Sequence, residues 1–407
     1  MTTIYIEESG TPIYTRIATA LGTELARHGH EVLWVKPKGF NQQTFLQFLQ
    51  AQPAQTVYLT NAGSNAIQGP TALGQTHFFE HFAGQLIFLH QDIVLSGQAC
   101  LAGLSRLQAW QRVDARAYHL CIEPDSVRAL QQAGITHAAW VPHASEIPAT
   151  PPELDHFEHE ASFVGHVVPS ALRQSTGSAP VDGLMNELFA ARQHDLGVAL
   201  QPAVEAYSSA ALAHFGNPAD VTALRVAHTQ WLRTQTMHQS LQFRGWVFEQ
   251  AQLPAVTIFG GDPAYLHGVE RSLRVEAEGV RYEQAVYEPE ALRRIYRGSA
   301  VNLNVSSMQF DHAVINRFHD VIMAGGLCLT DYRDGIVNLT RHHAQVSYRT
   351  LAELRDKVHY FSQPEHRRER ALLIEDIQRE LLERSGYPLV CREILNAMQA
   401  LGAAGKP

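Results

Sequence analysis

Lysine is nearly absent from this 407-residue chain. Only four of its 32 basic residues are lysines, namely Lys36, Lys38, Lys357 and Lys406. Any positive charge that meets a bound phosphate between residues 38 and 357 must therefore come from arginine or from a helix N-terminus. The formal net charge of -8 excludes the basic footprint that is typical of a nucleic-acid-binding protein.

Cysteines and long apolar runs are also scarce. The four cysteines, Cys100, Cys121, Cys328 and Cys391, are widely spaced, so neither a disulfide framework nor a zinc site is expected. No apolar run approaches the roughly 18 residues that a membrane span needs. The first residues also lack the basic segment of a signal peptide. These features predict a cytoplasmic protein with no membrane span.

A glycine-rich dinucleotide fingerprint is missing too. The first predicted strand, 3–6, is followed by Glu8-Ser9-Gly10-Thr11-Pro12, which has one glycine where GxGxxG has three. NAD and FAD enzymes are therefore disfavoured. We interpret this segment as a plain strand-to-helix turn, although an acceptor or a sugar could still touch the open loop.

The chain does contain a regular alternation of strands and helices. Apolar residues at 13, 17, 21 and 25 predict a helix between the first strand and a buried strand at 31–35. Such a βαβ unit implies a parallel sheet. Further strands are predicted at 56–60, 85–90, 117–122 and 138–141, before a proline-rich linker near residue 150.

A second series of strands begins after that linker. The strands are predicted at 161–165, 255–260, 300–305 and 327–330, and the stretch 181–250 is helix-rich. The sequence therefore predicts an α/β protein with an acceptor-side domain at 1–150 and a second domain at 151–390. A C-terminal helix and tail follow at 391–407.

Polar residues at the carboxyl ends of the predicted strands are the first candidates for a site, because open α/β sheets bind ligands there. One strand ends in Leu89-His90-Gln91-Asp92. His90 could act as a general base with a pKa near 6.5, with Asp92 as its orienting carboxylate. Alternatively the two residues cap the next helix, and the sequence leaves both readings open.

Two further candidates follow the first strand of the second domain. Gly165 lets a ligand approach the backbone, and His166 could contact a phosphate or a sugar hydroxyl. A structural turn is an equally open reading of this pair.

The stretch 301–320 is the richest in the chain. A predicted strand leads into a polar loop with Ser306, Ser307 and His312, and a helix follows with Asn316 and Arg317 near its start. On dipole grounds an acidic residue is expected in a first helical turn. An arginine there points to an anionic partner such as a diphosphate.

Asp320 lies three residues after Arg317, on the same helix face. The alternative interpretation of these two residues is a surface ion pair.

The order of these motifs resembles the C-terminal half of CgeB-like, spore-maturation-type glycosyltransferases, which are GT-B nucleotide-sugar glycosyltransferases. The resemblance covers roughly residues 280–395. It is carried by Asn302-Leu303-Asn304, Ser306-Ser307, Asn316-Arg317, Asp320, Ala324-Gly325-Gly326 and Leu329-Thr330-Asp331-Tyr332. Shorter segments at 27–32, 141–144 and 162–165 are also similar to the GT-B pattern.

The resemblance implies a GT-B fold, in which two Rossmann-like domains face a cleft and the last helix crosses back to the first domain. The donor would be a nucleoside-diphosphate sugar, with no metal and no further cofactor, and the acceptor a glycan, a protein or a small molecule. Arg317 would lie beside the diphosphate and Asp320 would hold the ribose. The other donor-binding candidates are Gly165, His166, Ser306, Ser307, His312 and Asn316.

The chain departs from this pattern at two points. Related retaining enzymes hold the diphosphate with an arginine and a lysine, and here Arg173 or Arg244 would have to replace the lysine. His312 stands where those relatives have an acidic residue, with Asp311 beside it. Two rival functions accompany the glycosyltransferase. One is a sugar-nucleotide epimerase of the same fold, and the other is a non-catalytic module that binds nucleotide sugars.

Overall fold

A computed structural model describes residues 1–8, 11–60, 66–71, 76–173, 175–215, 218–260, 274–275 and 277–404. Gly10, in the predicted strand-to-helix turn, lies outside these residues. No helix in the described parts of the chain is both long and apolar enough to cross a membrane.

Strands and helices alternate along most of the chain, as the sequence predicts. The strands are β1 (Thr3–Glu7), β2 (Glu31–Val35), β3 (Val57–Thr60), β4 (Gln85–His90), β5 (Ala117–Cys121), β6 (Ala138–Trp140), β7 (His159–Val164), β8 (Val256–Phe259), β9 (Val280–Glu283), β10 (Ser299–Asn304), β11 (Cys328–Asp331) and β12 (Ser347–Tyr348).

The helices flank these strands. They are α1 (Pro12–Arg27), α2 (Gln42–Gln50), α3 (Cys100–Val113), α4 (Pro124–Gln132), α5 (Ala179–His194), α6 (Gln201–Ala211), α7 (Pro218–His238), α8 (Ser240–Gln250), α9 (Pro289–Arg297), α10 (Asn316–Met323), α11 (Ile336–Leu339), α12 (His343–Val346), α13 (Leu351–Ser362), α14 (Arg367–Arg384) and α15 (Tyr387–Ala404).

The strands form two all-parallel sheets. The first has the order β2-β1-β3-β4-β5-β6, and the second has the order β12-β11-β10-β7-β8-β9. In each sheet the first strand along the chain is an interior strand, and later strands are added on both sides of it, which is the doubly wound arrangement of Rossmann-like folds. This confirms the predicted fold class.

Both faces of the first sheet are covered by helices. Because side chains alternate along a strand, Ile87 and Leu89 join the core on the side of α1 and α15. Leu86 and Phe88 join the core on the side of α3 and α4. Burial on both faces explains why the strands are continuously apolar. One exception is β2, which was predicted to be buried. It lies at the sheet edge, and its Trp34 side chain is exposed.

The chain divides into two compact units at boundaries that differ from the predicted ones. The first unit contains residues 1–146, 201–234 and 385–407, and the second contains residues 147–200 and 235–384. The split near residue 150 agrees with the predicted linker. The segment 201–234, however, was predicted to belong to the second domain.

Side-chain contacts explain where the segment 201–234 belongs. Val226 and Ala227 of α7 lie in the same core cluster as Leu107 and Trp110 of α3. About two turns further on, the Arg233 guanidinium lies 3.6 Å from the carboxylate of Asp125, at the start of α4. Helical periodicity identifies α6 and α7 as helices, but it does not show which sheet they pack against.

The C-terminal helix also belongs to the first unit. It packs against α1, β4 and β5, and its Ile394 side chain is fully buried there. The resemblance implies a return of the last helix to the first domain.

Candidate functional site

The strand order of the second sheet identifies the place in the fold where a ligand is expected to bind. β7 and β10 are neighbours, and the chain continues from β7 toward β8 on one side and from β10 toward β11 on the other. Ligands of open α/β sheets bind at the carboxyl ends of the strands at such a switch point. Gly165 follows β7 there, and the loop 305–315 follows β10.

Arg317 of α10 bridges the ends of these two strands. Its Nη1 donates a hydrogen bond to Oδ1 of Asn304, at 2.7 Å. Its guanidinium carbon lies 4.8 Å from the ring centroid of Phe163 in β7. No carboxylate in the described parts of the chain forms an ion pair with this guanidinium, so a half-buried cation lies at the switch point with only a neutral hydrogen-bond partner.

The surroundings of Arg317 set its electrostatics. Burial lowers the pKa of Arg317, and the nearby carboxylates of Asp320 and Asp331 oppose that effect. A cation held in a partly desolvated position attracts an anion more strongly than one in water, because the effective dielectric constant is lower.

Gly165 has a geometric reason to be glycine. Its φ is +151°, and a Cβ atom there would lie 2.9 Å from Nη2 of Arg317 and 3.0 Å from the ring of Phe163. A larger residue would therefore displace the guanidinium. The predicted candidates Gly165 and Arg317 are thus brought together.

The start of α10 lies next to Arg317 and has no side-chain cap. The helix begins at Asn316, its N-cap is Ile315 with no side-chain cap, and its first turn has no acidic residue. Helix N-termini of this kind carry free N–H groups and a positive dipole end. Asn316 is half-buried at the first helical position.

Asp320 lies one turn further along α10 and is 4% exposed. The alternative reading of Arg317 and Asp320 as a surface ion pair is therefore wrong, because the carboxylate is buried.

The two serines after β10 have different environments. Ser306 is fully buried, and both its N–H and its hydroxyl donate hydrogen bonds to Oδ1 of Asp331, at 2.9 and 2.8 Å. Ser307 is half-buried, and its hydroxyl lies 2.9 Å from that of Ser240 in α8. The Ser306 hydroxyl therefore positions the loop rather than facing outward.

Asp331 is the residue that sequence reasoning missed. It ends β11, is fully buried, and its Oδ2 accepts a hydrogen bond from Nη2 of Arg333 at 2.6 Å. Together with its bonds to Ser306, this fixes the loop in front of α10. The sequence signal that could have identified Asp331 is its position directly after the predicted strand 327–330. This strand follows the predicted strand 300–305, which leads into the loop.

His312 and Asp311 have separate roles in this structure. Nδ1 of His312 lies 2.5 Å from Oδ1 of Asp334 near the surface. Asp311 is buried, forms an ion pair with Arg192 at 2.6 Å, and accepts a hydrogen bond from the N–H of Leu200 at 2.9 Å. Asp311 therefore fastens α5 to the loop and leaves His312 as the more accessible of the pair.

Of the two arginines considered as replacements for a lysine, Arg244 lies nearer the switch point. Its Nε donates to the carbonyl oxygen of Val305, directly after β10, at 3.1 Å. Arg173 donates to the side chain of Gln239 and to the carbonyl of Met185.

His166 is buried next to Gly165, with Nε2 3.1 Å from the hydroxyl of Tyr287.

In the first unit, His90 is packed inside the protein at the end of β4. Its Nε2 lies 3.0 Å from Nδ1 of His119, and its ring contacts Phe88 and Trp110. Burial, with the nearby Arg106 guanidinium, lowers the pKa of His90 to about 3. The expectation of a pKa near 6.5 is therefore wrong, while the catalytic role of His90 stays a prediction.

Asp92 lies two residues beyond the strand and is half-buried. Its Oδ2 accepts a hydrogen bond from the hydroxyl of Tyr14 in α1, at 2.8 Å. Asp92 is not the N-cap of the next helix, α3, because that position is Ala99. Of the two candidates in the first unit, the carboxylate of Asp92 is the more accessible.

Comparison with known proteins agrees with this fold. Residues 233–394 match the family model of glycosyl transferase-like proteins, which confirms the predicted enzyme class, a glycosyltransferase. This segment contains the loop 305–315 and α10. A search among curated proteins finds no match.

Solved structures of glycosyltransferases are similar over nearly the whole chain. A DNA-modifying beta-glucosyltransferase, studied with and without uridine diphosphoglucose, has a TM-score of 0.54 at 10% identity, covering 98% of this chain and 100% of that one. Anabaena Alr3699/HepE in complex with UDP-glucose has a TM-score of 0.52 at 11% identity, with the same coverage. An alpha-glucosyltransferase in complex with UDP and DNA has a TM-score of 0.52 at 10% identity, again with the same coverage. At these identities the likeness establishes a shared GT-B fold.

The buried imidazole of His90 predicts a measurable pH dependence of stability. Its folded-state pKa of about 3 lies below the value of about 6.5 for an unfolded histidine. The contribution of the neutral, buried His90 to the free energy of unfolding is therefore complete above pH 6.5. It is lost as the pH falls toward 3, by about 1.4 kcal/mol per pH unit. In His90→Gln, the free energy of unfolding should fall less steeply between pH 6.5 and pH 5.

Denaturant titrations at several pH values measure this slope. His28→Gln, at an exposed position in the same unit, is the control and should keep the wild-type slope. Equal slopes in His90→Gln and in the wild type would show that His90 is not held neutral by burial.

Proposed function

We propose that this protein transfers a sugar from a uridine-diphosphate sugar to an acceptor. The observation that carries this proposal is the Arg317 guanidinium, which lies at the switch point of the second sheet without a carboxylate partner among the described residues. The glycosyl transferase-like match over 233–394 supports transfer as the reaction. The UDP and UDP-glucose in the structures of similar fold support uridine as the base.

In this proposal the diphosphate binds between Arg317 and the N-terminus of α10. The Arg317 guanidinium donates to Asn304 at the end of β10, and α10 begins one residue before Arg317 without a side-chain cap. Arg244 adds a second cation beside Val305. These groups would stabilise the negative charge that develops on the leaving diphosphate. They supply the role that an arginine and a lysine fill in the enzymes this chain resembles.

The ribose is assigned to Asp320, one turn along α10 from Arg317. A carboxylate can accept hydrogen bonds from both ribose hydroxyls. Its position on the same helix as the diphosphate ligand would set the distance between the two parts of the nucleotide.

We propose that no metal takes part in the transfer. Arg317, Arg244 and the helix N-terminus provide positive charge at the site of the leaving group. The carboxylate of Asp331, at the end of β11, already accepts hydrogen bonds from Ser306 and Arg333. Transfer should therefore continue when divalent cations are removed with a chelator.

For chemistry that needs a general base, we assign the base to Asp92. It is half-buried at the carboxyl end of β4, and the hydroxyl of Tyr14 holds one of its oxygens. His90 is the less suitable base, because its pKa of about 3 leaves it a weak proton acceptor.

The two rival functions differ from a transferase in the products that they release. An epimerase would leave the sugar on the nucleotide, whereas a transferase releases free UDP. A non-catalytic module would bind the nucleotide sugar and release nothing above background. Incubation with UDP-glucose, followed by measurement of UDP, separates these outcomes.

Arg317→Ala tests the diphosphate assignment. The variant should lose about 1.5–3 kcal/mol of affinity for UDP, which is typical of a charge-assisted contact. Its affinity for uridine should be almost unchanged. Isothermal titration with both ligands measures the difference, and Arg297→Ala, on α9 with a partly exposed side chain, is the matched control. Equal weakening of UDP and uridine would contradict the assignment.

Asp92→Asn tests the base. The amide keeps a partner for the Tyr14 hydroxyl but cannot accept a proton, so the rate of UDP release should fall by about 10²–10⁴-fold. Affinity for UDP, measured by titration, should stay at the wild-type value. A wild-type rate in this variant would show that the transfer proceeds without Asp92.

A further inference from the structure

Arg106 is a buried cation that the proposed reaction does not use. It lies on the inward face of α3, between Gly103 and Trp110, where helical periodicity calls for an apolar residue. The residue is 7% exposed. Its Nε is fully buried and has no hydrogen-bond partner.

The guanidinium of Arg106 also lacks a counter-ion. In the described parts of the chain, no carboxylate lies within ion-pair distance of it, and no carbonyl accepts a hydrogen bond from it. Burial lowers the pKa of Arg106 to about 10, with no acidic group opposing the effect, so the side chain is still charged at neutral pH. A buried charge is ordinarily paired, because leaving it unpaired is costly.

A second unpartnered donor lies beside Arg106. Nε1 of Trp110, one turn further along α3, is buried and has no hydrogen-bond partner among the described residues. His77 and His90 are also buried, and burial first, then the guanidinium, lowers their pKa values. Nδ1 of His77 lies 3.7 Å from the carboxylate of Glu80, which accepts a hydrogen bond from Arg112. The two unpartnered donors on α3, one of them a cation, have the composition of an anion site.

We propose that Arg106 and Nε1 of Trp110 form an anion subsite in the first unit, which binds an oxyanion group, a carboxylate or a phosphate, of the acceptor. The guanidinium presents paired N–H groups that match the geometry of either group. An anion there would supply the missing counter-ion. The anion site rests on these buried, unpartnered donors, and its use by an acceptor rests on the proposed function.

Thermal unfolding in the presence of anions tests the site. Inorganic phosphate should raise the melting temperature of the wild-type protein in a saturable way, because a ligand of the folded state stabilises it. In Arg106→Met the apparent affinity for phosphate should fall at least tenfold. Arg27→Met, which removes an exposed arginine of the same unit, should keep the wild-type response.

Three sugars separate the possible sources of the anion. Glucose 6-phosphate and glucuronate carry the two oxyanion groups, and glucose carries neither, so glucose should cause no shift. A shift with only one of the two acidic sugars identifies the group that the site prefers. Absence of a saturable shift with phosphate and with both acidic sugars would overturn the proposal.

The stability of Arg106→Met without ligand gives an independent test. Removing an unpaired buried charge should leave the melting temperature equal to or above that of the wild type, because no internal partner is lost. A strong loss of stability would show that the guanidinium is bonded within the protein, and would overturn the proposal. UDP titration in the same variant should match the wild type, so a failure of the donor site would be recognised separately.

Discussion

The hydrogen bond between Arg317 and Asn304 is the contact on which the proposed site depends. It holds a guanidinium across the ends of β7 and β10 at 2.7 Å from a neutral oxygen, and the ring of Phe163 supports it from the side. An acidic partner would have neutralised the charge. A neutral partner fixes the direction of the guanidinium and leaves its charge available to a ligand.

The rest of the second unit keeps this arrangement in place. Gly165 leaves room for the guanidinium. Asp331 fixes the loop after β10 through Ser306, and the buried pair of Arg192 and Asp311 fastens the following segment to α5. Buried ion pairs of this kind add little stability but specify one geometry. The lysine-poor composition is consistent with this design, because each of these cationic contacts comes from arginine.

Much of the fold could be predicted from the sequence, because continuous apolar runs indicate buried strands and periodic apolar residues indicate helices with one buried face. Strands β3 to β6 and β10 and β11 lie within two residues of their predicted ends. The packing of the helical segment 201–234 on the first unit could not be predicted. It depends on contacts such as that between Arg233 and Asp125, which join residues more than 100 positions apart.

The site could be predicted in part. Gly165 and Arg317 were separate candidates in the sequence, and the structure brings them together because they follow the ends of neighbouring strands. The pKa of His90 could not be foreseen, since it depends on Trp110, His119 and Arg106 packing around a ring that the sequence places only at the end of a strand. Asp331 was missed because its role is to orient a loop, and no motif records that role.

A crystal structure with bound UDP tests the central claim most directly. The account predicts the diphosphate at the carboxyl ends of β7 and β10, with its oxygens within hydrogen-bonding distance of the Arg317 guanidinium and of the first N–H groups of α10. A diphosphate bound elsewhere, with Arg317 still bonded only to Asn304, would contradict it.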